Sequence, residues 1–235
     1  MKNYSKYIVA ALIISGSYYI TNTAAQSVSL MEKTQTPRYK YLALGDSYTI
    51  GESVENSGRF PFQLYMRLLA DSVDIAEPYI IAKTGWTTDE LMNAIAERNV
   101  RDTFDIVTLL IGVNNQYRER SVEEYRVQFK QLLDTALSFA GGKKERVFVL
   151  SIPDWGVTPF AEGRDRKKIA REIDDYNFVN KSESMNAGVK YFDITDISRL
   201  ADPMLTAGDG LHPSTAQYKL WVDRIYPDIK AAFAK

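Results

Sequence analysis

The sequence predicts an α/β chain, a three-layer α/β/α sandwich around a five-stranded parallel sheet. Short apolar runs alternate along it with longer segments whose apolar residues recur at helical spacing. Most of those runs are continuous rather than alternating, as in strands covered on both faces. The 235 residues, 45% hydrophobic and 12% aromatic, also suffice to bury a substantial core.

The N-terminus reads as a leader. Lys2 and Lys6 precede an apolar run from Tyr7 to Ile14 that resumes at Tyr18 to Ile20, and the small residues Thr23-Ala24-Ala25 follow. That is the order of a secretory signal peptide over residues 1–25, cleaved after Ala25. The competing reading is an uncleaved anchor, but Ser15, Gly16 and Ser17 interrupt the run and leave it short for a membrane span. The expectation is an exported protein, periplasmic or secreted, with no stable membrane insertion after cleavage. There is no cysteine, so neither a disulfide nor a lipid-modified N-terminal Cys is available, which fits a bacterial setting. Residues 26–38 form an extension and 39–235 the folded domain.

Five strands are predicted at Tyr41–Leu44, Tyr79–Ala82, Ile106–Ile111, Val147–Leu150 and Val189–Phe192. Helices fall between them, at Phe60 to Ala70 and at Thr87 to Arg98. Another carries Tyr125, Phe129, Leu132, Leu133, Ala136 and Leu137 on one face and stops at Gly141-Gly142. A fourth spans roughly Lys168 to Met185. The last repeats the pattern with Tyr218, Trp221, Val222, Ile225 and Ile229, and Ser214-Thr-Ala-Gln217 predicts a capping box at its start. Strand alternating with helix implies right-handed crossovers and a parallel sheet. No internal repeat, linker or low-complexity segment interrupts the domain.

Charge excludes one class of partner. With 29 basic and 30 acidic residues no basic patch is dense enough for nucleic acid, and Lys143 to Arg146 reads as a solvated turn before a strand.

The carboxyl ends of such strands form the ligand crevice. After the first strand, Gly45-Asp46-Ser47 puts a serine on a tight turn. After the second comes Gly85, free to present a backbone N–H, and after the third Gly112-Val113-Asn114, with a side-chain amide to offer. The segment "GDGLHPS", residues 208 to 214, contains Asp209 and His212, the only histidine in the chain. Each signal alone is weak, since Gly, Asp, Ser and Asn are ordinary turn residues. Together they meet the needs of acyl transfer: a weak hydroxyl nucleophile (Ser47), a base (His212), a carboxylate to fix its tautomer (Asp209), and donors for an oxyanion (the N–H groups of Ser47 and Gly85 and the Asn114 amide).

These blocks, in this order over residues 39–225, resemble those of the SGNH (GDSL) hydrolases. The resemblance implies a flavodoxin-like sandwich acting as an esterase, lipase, thioesterase or carbohydrate deacetylase, without a cofactor. It implies Ser47 as nucleophile, Asp209 and His212 as the rest of the triad, and Gly85 and Asn114 as oxyanion donors. Tyr48 stands where the family name has Leu, and Asn115 where an Asp commonly follows, which leaves the substrate class more open than the chemistry. No G-x-S-x-G surrounds a strand-end serine, which argues against an α/β-hydrolase fold.

Two rivals remain. Asp193, Asp196, Asp202 and Asp209 could hold a hard cation, although one His and no Cys disfavour zinc. The fold could also serve as a non-catalytic binding module. For substrate, Arg118 four residues after Asn114 and the compact size resemble small exported thioesterase and lysophospholipase-like esterases acting on lipid or acyl esters. A carbohydrate O-acetylesterase is the alternative, and oligomeric state is open. In the long non-periodic stretch 152–168, Trp155, Val157 and Phe160 either form an acyl wall or anchor the loop to the core.

Overall fold

A computed structural model gives the structure of residues 38–233. The expected leader and nearly all of the extension lie outside the described residues. Five strands form one all-parallel sheet: β1 (Tyr41–Gly45), β2 (Tyr79–Ala82), β3 (Ile106–Leu110), β4 (Val147–Leu150) and β5 (Lys190–Phe192), in the order β2-β1-β3-β4-β5. The register sets Ala43 of β1 between Ile80 of β2 and Thr108 of β3. Each predicted strand is present, with ends moved by a residue. Full burial holds for β1, β3 and β4; β2 and β5 are edge strands and expose part of their length. That is why their apolar runs are mixed with Tyr79, Lys190 and Tyr191.

Among the described residues eight α-helices accompany the sheet: α1 (Ser47–Ile50), α2 (Phe60–Ala70), α3 (Thr88–Arg98), α4 (Val113–Tyr117), α5 (Val122–Phe139), α6 (Arg166–Ala187), α7 (Thr195–Ser198) and α8 (Thr215–Ala231). One helical layer is made by α2 packed on α8, the other by α5 packed between α3 and α6. The predicted three-layer sandwich is therefore the observed one. Its core is fully buried, from Leu42, Leu44, Val107 and Leu109 in the sheet to Tyr125, Phe129 and Trp221 in the helices. Each such side chain contributes roughly 1.5–3 kcal/mol by leaving water.

The sequence pattern missed α1, α4 and α7. Four or five residues are too short to show a helical period. All three start just beyond a strand's carboxyl end, so they shape the crevice. Capping differs as well. Ser214 does cap α8, accepting from the Gln217 N–H at 3.2 Å. Gln217, however, sends its side-chain amide to the Leu205 carbonyl at 2.6 Å instead of back to Ser214, so the predicted box is only half formed. The complete box belongs to α3, where the Glu90 carboxylate accepts from the Thr87 N–H at 2.9 Å.

Candidate active site

The nucleophile candidate is placed by close packing. Gly45 ends β1 where a Cβ would collide with the Leu110 carbonyl of β3, so only glycine lets the two strands approach there. The chain then turns into α1. Asp46 caps that helix by accepting the Tyr48 N–H at 3.0 Å, and Ser47 is its first residue, 5% exposed. Helix start, rather than free turn, is the correct description of Ser47. A helix's first N–H groups have no partner inside it, which leaves the Ser47 N–H available. Asp46 itself is fully buried, with one carboxylate oxygen unpartnered. Burial pushes its carboxyl up to about 7, against the pull of the Tyr48 N–H and its own.

Tyr48 is a core residue. Its ring meets Trp221 of α8 at 6.4 Å and His212 at 5.9 Å, both edge-on, tying the Ser47 turn to the helix that follows the histidine.

Asp209 and His212 share one loop and touch each other. His212 Nδ1 lies 2.5 Å from Asp209 Oδ2. The other oxygen, Oδ1, accepts the N–H groups of Leu211 and His212 at 2.9 and 3.0 Å. Ser53, on the loop after α1, donates its hydroxyl to Oδ2 at 2.6 Å. Partial burial disfavours the charged carboxylate, but these hydrogen bonds, led by Ser53 and His212, outweigh it and hold the group well below the usual carboxylate range. Ser53 adopts the left-handed region at φ 65°, a strained place for a non-glycine residue. Nothing in the sequence singles it out.

The remaining donors stand on neighbouring strand ends. Gly85 follows β2 with φ 85°, a conformation that glycine tolerates and other residues resist. Asn114 lies in the first turn of α4. One N–H of its amide is held by the Trp86 carbonyl at 3.0 Å, which leaves the second free. Arg118 braces this region: Nη2 donates to the Gly85 carbonyl at 2.7 Å and Nη1 pairs with Glu90 at 3.2 Å. Asn115, the departure from the family pattern, is fully buried and clamps α4 to α3, accepting from the Thr88 N–H and donating to the Thr88 hydroxyl.

A cavity of about 200 Å³ is lined by Ser47, Gly85, Asn114 and His212 together with Tyr117, Trp155, Phe160 and Leu211. Asp209 stands behind the histidine. Of the loop residues left open by the sequence, Trp155 and Phe160 line this cavity. Trp155 also anchors its loop, donating Nε1–H to Gln116 at 2.8 Å. Val157 lines a second cavity of about 440 Å³ that shares Tyr48, Trp155 and Leu211 with the first.

The four aspartates considered for a cation do not converge. Asp209 is committed to His212 and Ser53, Asp196 pairs with Arg224, and among the described residues no cluster of three metal-ligating side chains occurs. Among the described residues, too, no helix is long and apolar enough to cross a membrane.

Comparison with known proteins agrees with the architecture. The profile of a family described as GDSL-like lipase/acylhydrolase matches residues 43–220. No curated protein sequence matches the chain. Among solved structures, TesA is similar at TM-score 0.65 and 16% identity, covering 82% of this chain and 99% of its own. Axe2, an acetylxylan esterase from Geobacillus stearothermophilus, is similar at TM-score 0.66 and 19% identity, covering 82% and 94%. The psychrotrophic esterase EstA from Pseudoalteromonas sp., in a structure inhibited by monoethylphosphonate, is similar at 0.63 and 16%, covering 84% and 100%.

Proposed function

The chain belongs to the GDSL-like lipase/acylhydrolase family and is an ester-bond hydrolase, and from that premise we propose that Ser47, His212 and Asp209 form its catalytic triad. The observation that carries the reading is the Asp209–His212 contact at a cavity that His212 lines together with Ser47, Gly85 and Asn114. Ser47 Oγ attacks the ester carbonyl while its proton passes to His212 Nε2, and Asp209 holds the Nδ1–H and stabilises the imidazolium. The oxyanion accepts from the Ser47 and Gly85 N–H groups and the Asn114 amide. Collapse releases the alcohol or thiol, protonated by His212, and leaves an acyl-serine. Water, activated by the same histidine, attacks that acyl group and frees the acid.

The apolar side of the cavity supports an acyl group as its occupant, in line with the lipid or acyl ester reading. The adjoining cavity supports a second one. It is lined by Asp154, Arg166, Asp202 and Gln217 among others, groups that suit a hydroxylated alcohol, and Axe2 of the same fold is an acetylxylan esterase. A panel of p-nitrophenyl esters from acetyl to palmitoyl, beside lysophospholipid and acetylated xylan, separates the two.

The test of the triad is Ser47→Ala with an organophosphonate label. The variant should keep its fold and lose nearly all turnover, and the label should attach to Ser47 alone in the wild type. Turnover retained by the alanine variant would remove the serine mechanism. Export is proposed on the leader alone, and N-terminal sequencing of secreted material should begin at or near Gln26.

A further inference from the structure

Three aromatic rings gather in the lining of the smaller cavity. Tyr117, Trp155 and Phe160 lie with centroids 5.5, 5.9 and 6.3 Å apart. All three line the cavity that holds Ser47 and His212. Over them lies the guanidinium of Arg164, 5.3 Å from the Tyr117 centroid, 5.3 Å from that of Trp155 and 5.1 Å from that of Phe160. One Nη2–H donates to the Tyr117 hydroxyl at 3.3 Å. Among the described residues no carboxylate pairs with this cation, and its side chain is exposed. The ring cluster is also tied to the histidine loop, because the Phe160 N–H donates to the Gly210 carbonyl at 2.9 Å.

The rings attract the guanidinium as a cation, and the exposed side chain keeps N–H groups beyond the one given to Tyr117 for another partner. Three rings restrict its motion, so little rotamer freedom remains to be lost when an anion arrives. Two N–H groups of a guanidinium match the two oxygens of a carboxylate or phosphate. Resting on the ester-hydrolase reading of this cavity, we propose that Arg164 is a specificity residue for esters that carry an anionic group, carboxylate or phosphate, on the acyl end or on the alcohol.

Matched substrates test the proposal. One pair is p-nitrophenyl hexanoate against mono-p-nitrophenyl adipate, with the charge on the acyl end. The other is a monoacylglycerol against the 1-acylglycerol 3-phosphate of the same chain, with the charge on the alcohol. The readout is the ratio of kcat/KM, anionic over neutral, in wild type, Arg164→Gln and Arg164→Lys. In at least one pair Arg164→Gln should lower the ratio about fivefold or more, through KM, and Arg164→Lys should fall between the two. The pair that responds identifies where the anion sits. Ratios that stay within twofold in both pairs, a fall in kcat shared equally by neutral and anionic esters, or a lysine variant no better than glutamine would overturn the assignment. A wild type that turns over none of the four esters while folded would instead remove the hydrolase reading, and this inference with it.

Discussion

The histidine loop and the strand-end segments proposed to hold an oxyanion line one cavity and are built in opposite ways. Asp209 and His212 are three residues apart, and the carboxylate is fixed by the loop's own N–H groups at 2.9 and 3.0 Å. The proposed donors come from three separate strand ends, β1, β2 and β3, and nothing local fixes their spacing. They are held by braces between elements: Asn114 on the Trp86 carbonyl, Arg118 on that of Gly85, Asn115 on Thr88. A proton relay can be written into a short loop, whereas a pocket for developing charge needs the tertiary fold to converge N–H groups on one point. The two halves should therefore fail differently.

The largest effect belongs to the loop. Asp209→Asn should lower kcat by about 10⁴, because the amide favours the wrong imidazole tautomer while leaving the loop in place. Steady-state kinetics on a folded variant checks this, and a loss under tenfold would show that the backbone alone orients His212. Next comes a contrast within the strand-end segments. Asn114→Ala should lower kcat by about 10²–10³ with little change in KM. Its neighbour Asn115→Ala strands the buried Thr88 N–H and should cost about 1–3 kcal/mol of stability, read by denaturant unfolding. Equal kinetic losses at both positions would blur the division between donor and brace.

The smallest effect on turnover, yet a visible one on stability, belongs to Asp46. Its folded carboxyl titrates near 7, against about 4 when unfolded. The folded state thus holds the proton more tightly, and this group's stabilisation is full below pH ~4 and is lost as pH rises through about 7. Asp209 runs the other way, its contribution being present above the usual carboxylate range and lost on acidification. Asp46→Asn should keep the cap on Tyr48 and remove on the order of 3 kcal/mol of the decline between pH 4 and 8. Thermal unfolding across that range measures it.

The sheet was legible because β1, β3 and β4 are covered on both faces and their burial is written as unbroken apolar runs. Ser47, Gly85, Asn114, Asp209 and His212 could be picked out because strand ends are where a parallel sheet opens. The braces could not. Ser53 is an ordinary serine until the loop after α1 meets Asp209, and Arg118, marked in the sequence only by its spacing from Asn114, gives no sign there that its Nη2 reaches Gly85. The capping box assigned to Gln217 failed for the same reason: the Leu205 carbonyl, distant in sequence, competes for the amide.

Ser53 and Asp209 are 156 residues apart, and their hydrogen bond closes nearly the whole domain into a ring. Under the proposed mechanism the residues that cut an ester lie at opposite ends of the folded chain, so no partly made or partly unfolded product with only one end in place can hydrolyse anything. Contacts of such long sequence separation form late and slowly, once the intervening sheet has closed the distance between them. Turnover during refolding should therefore appear with the last phase of the reaction and not with the burst of helix formation, which makes the enzyme its own clock for the completion of its fold.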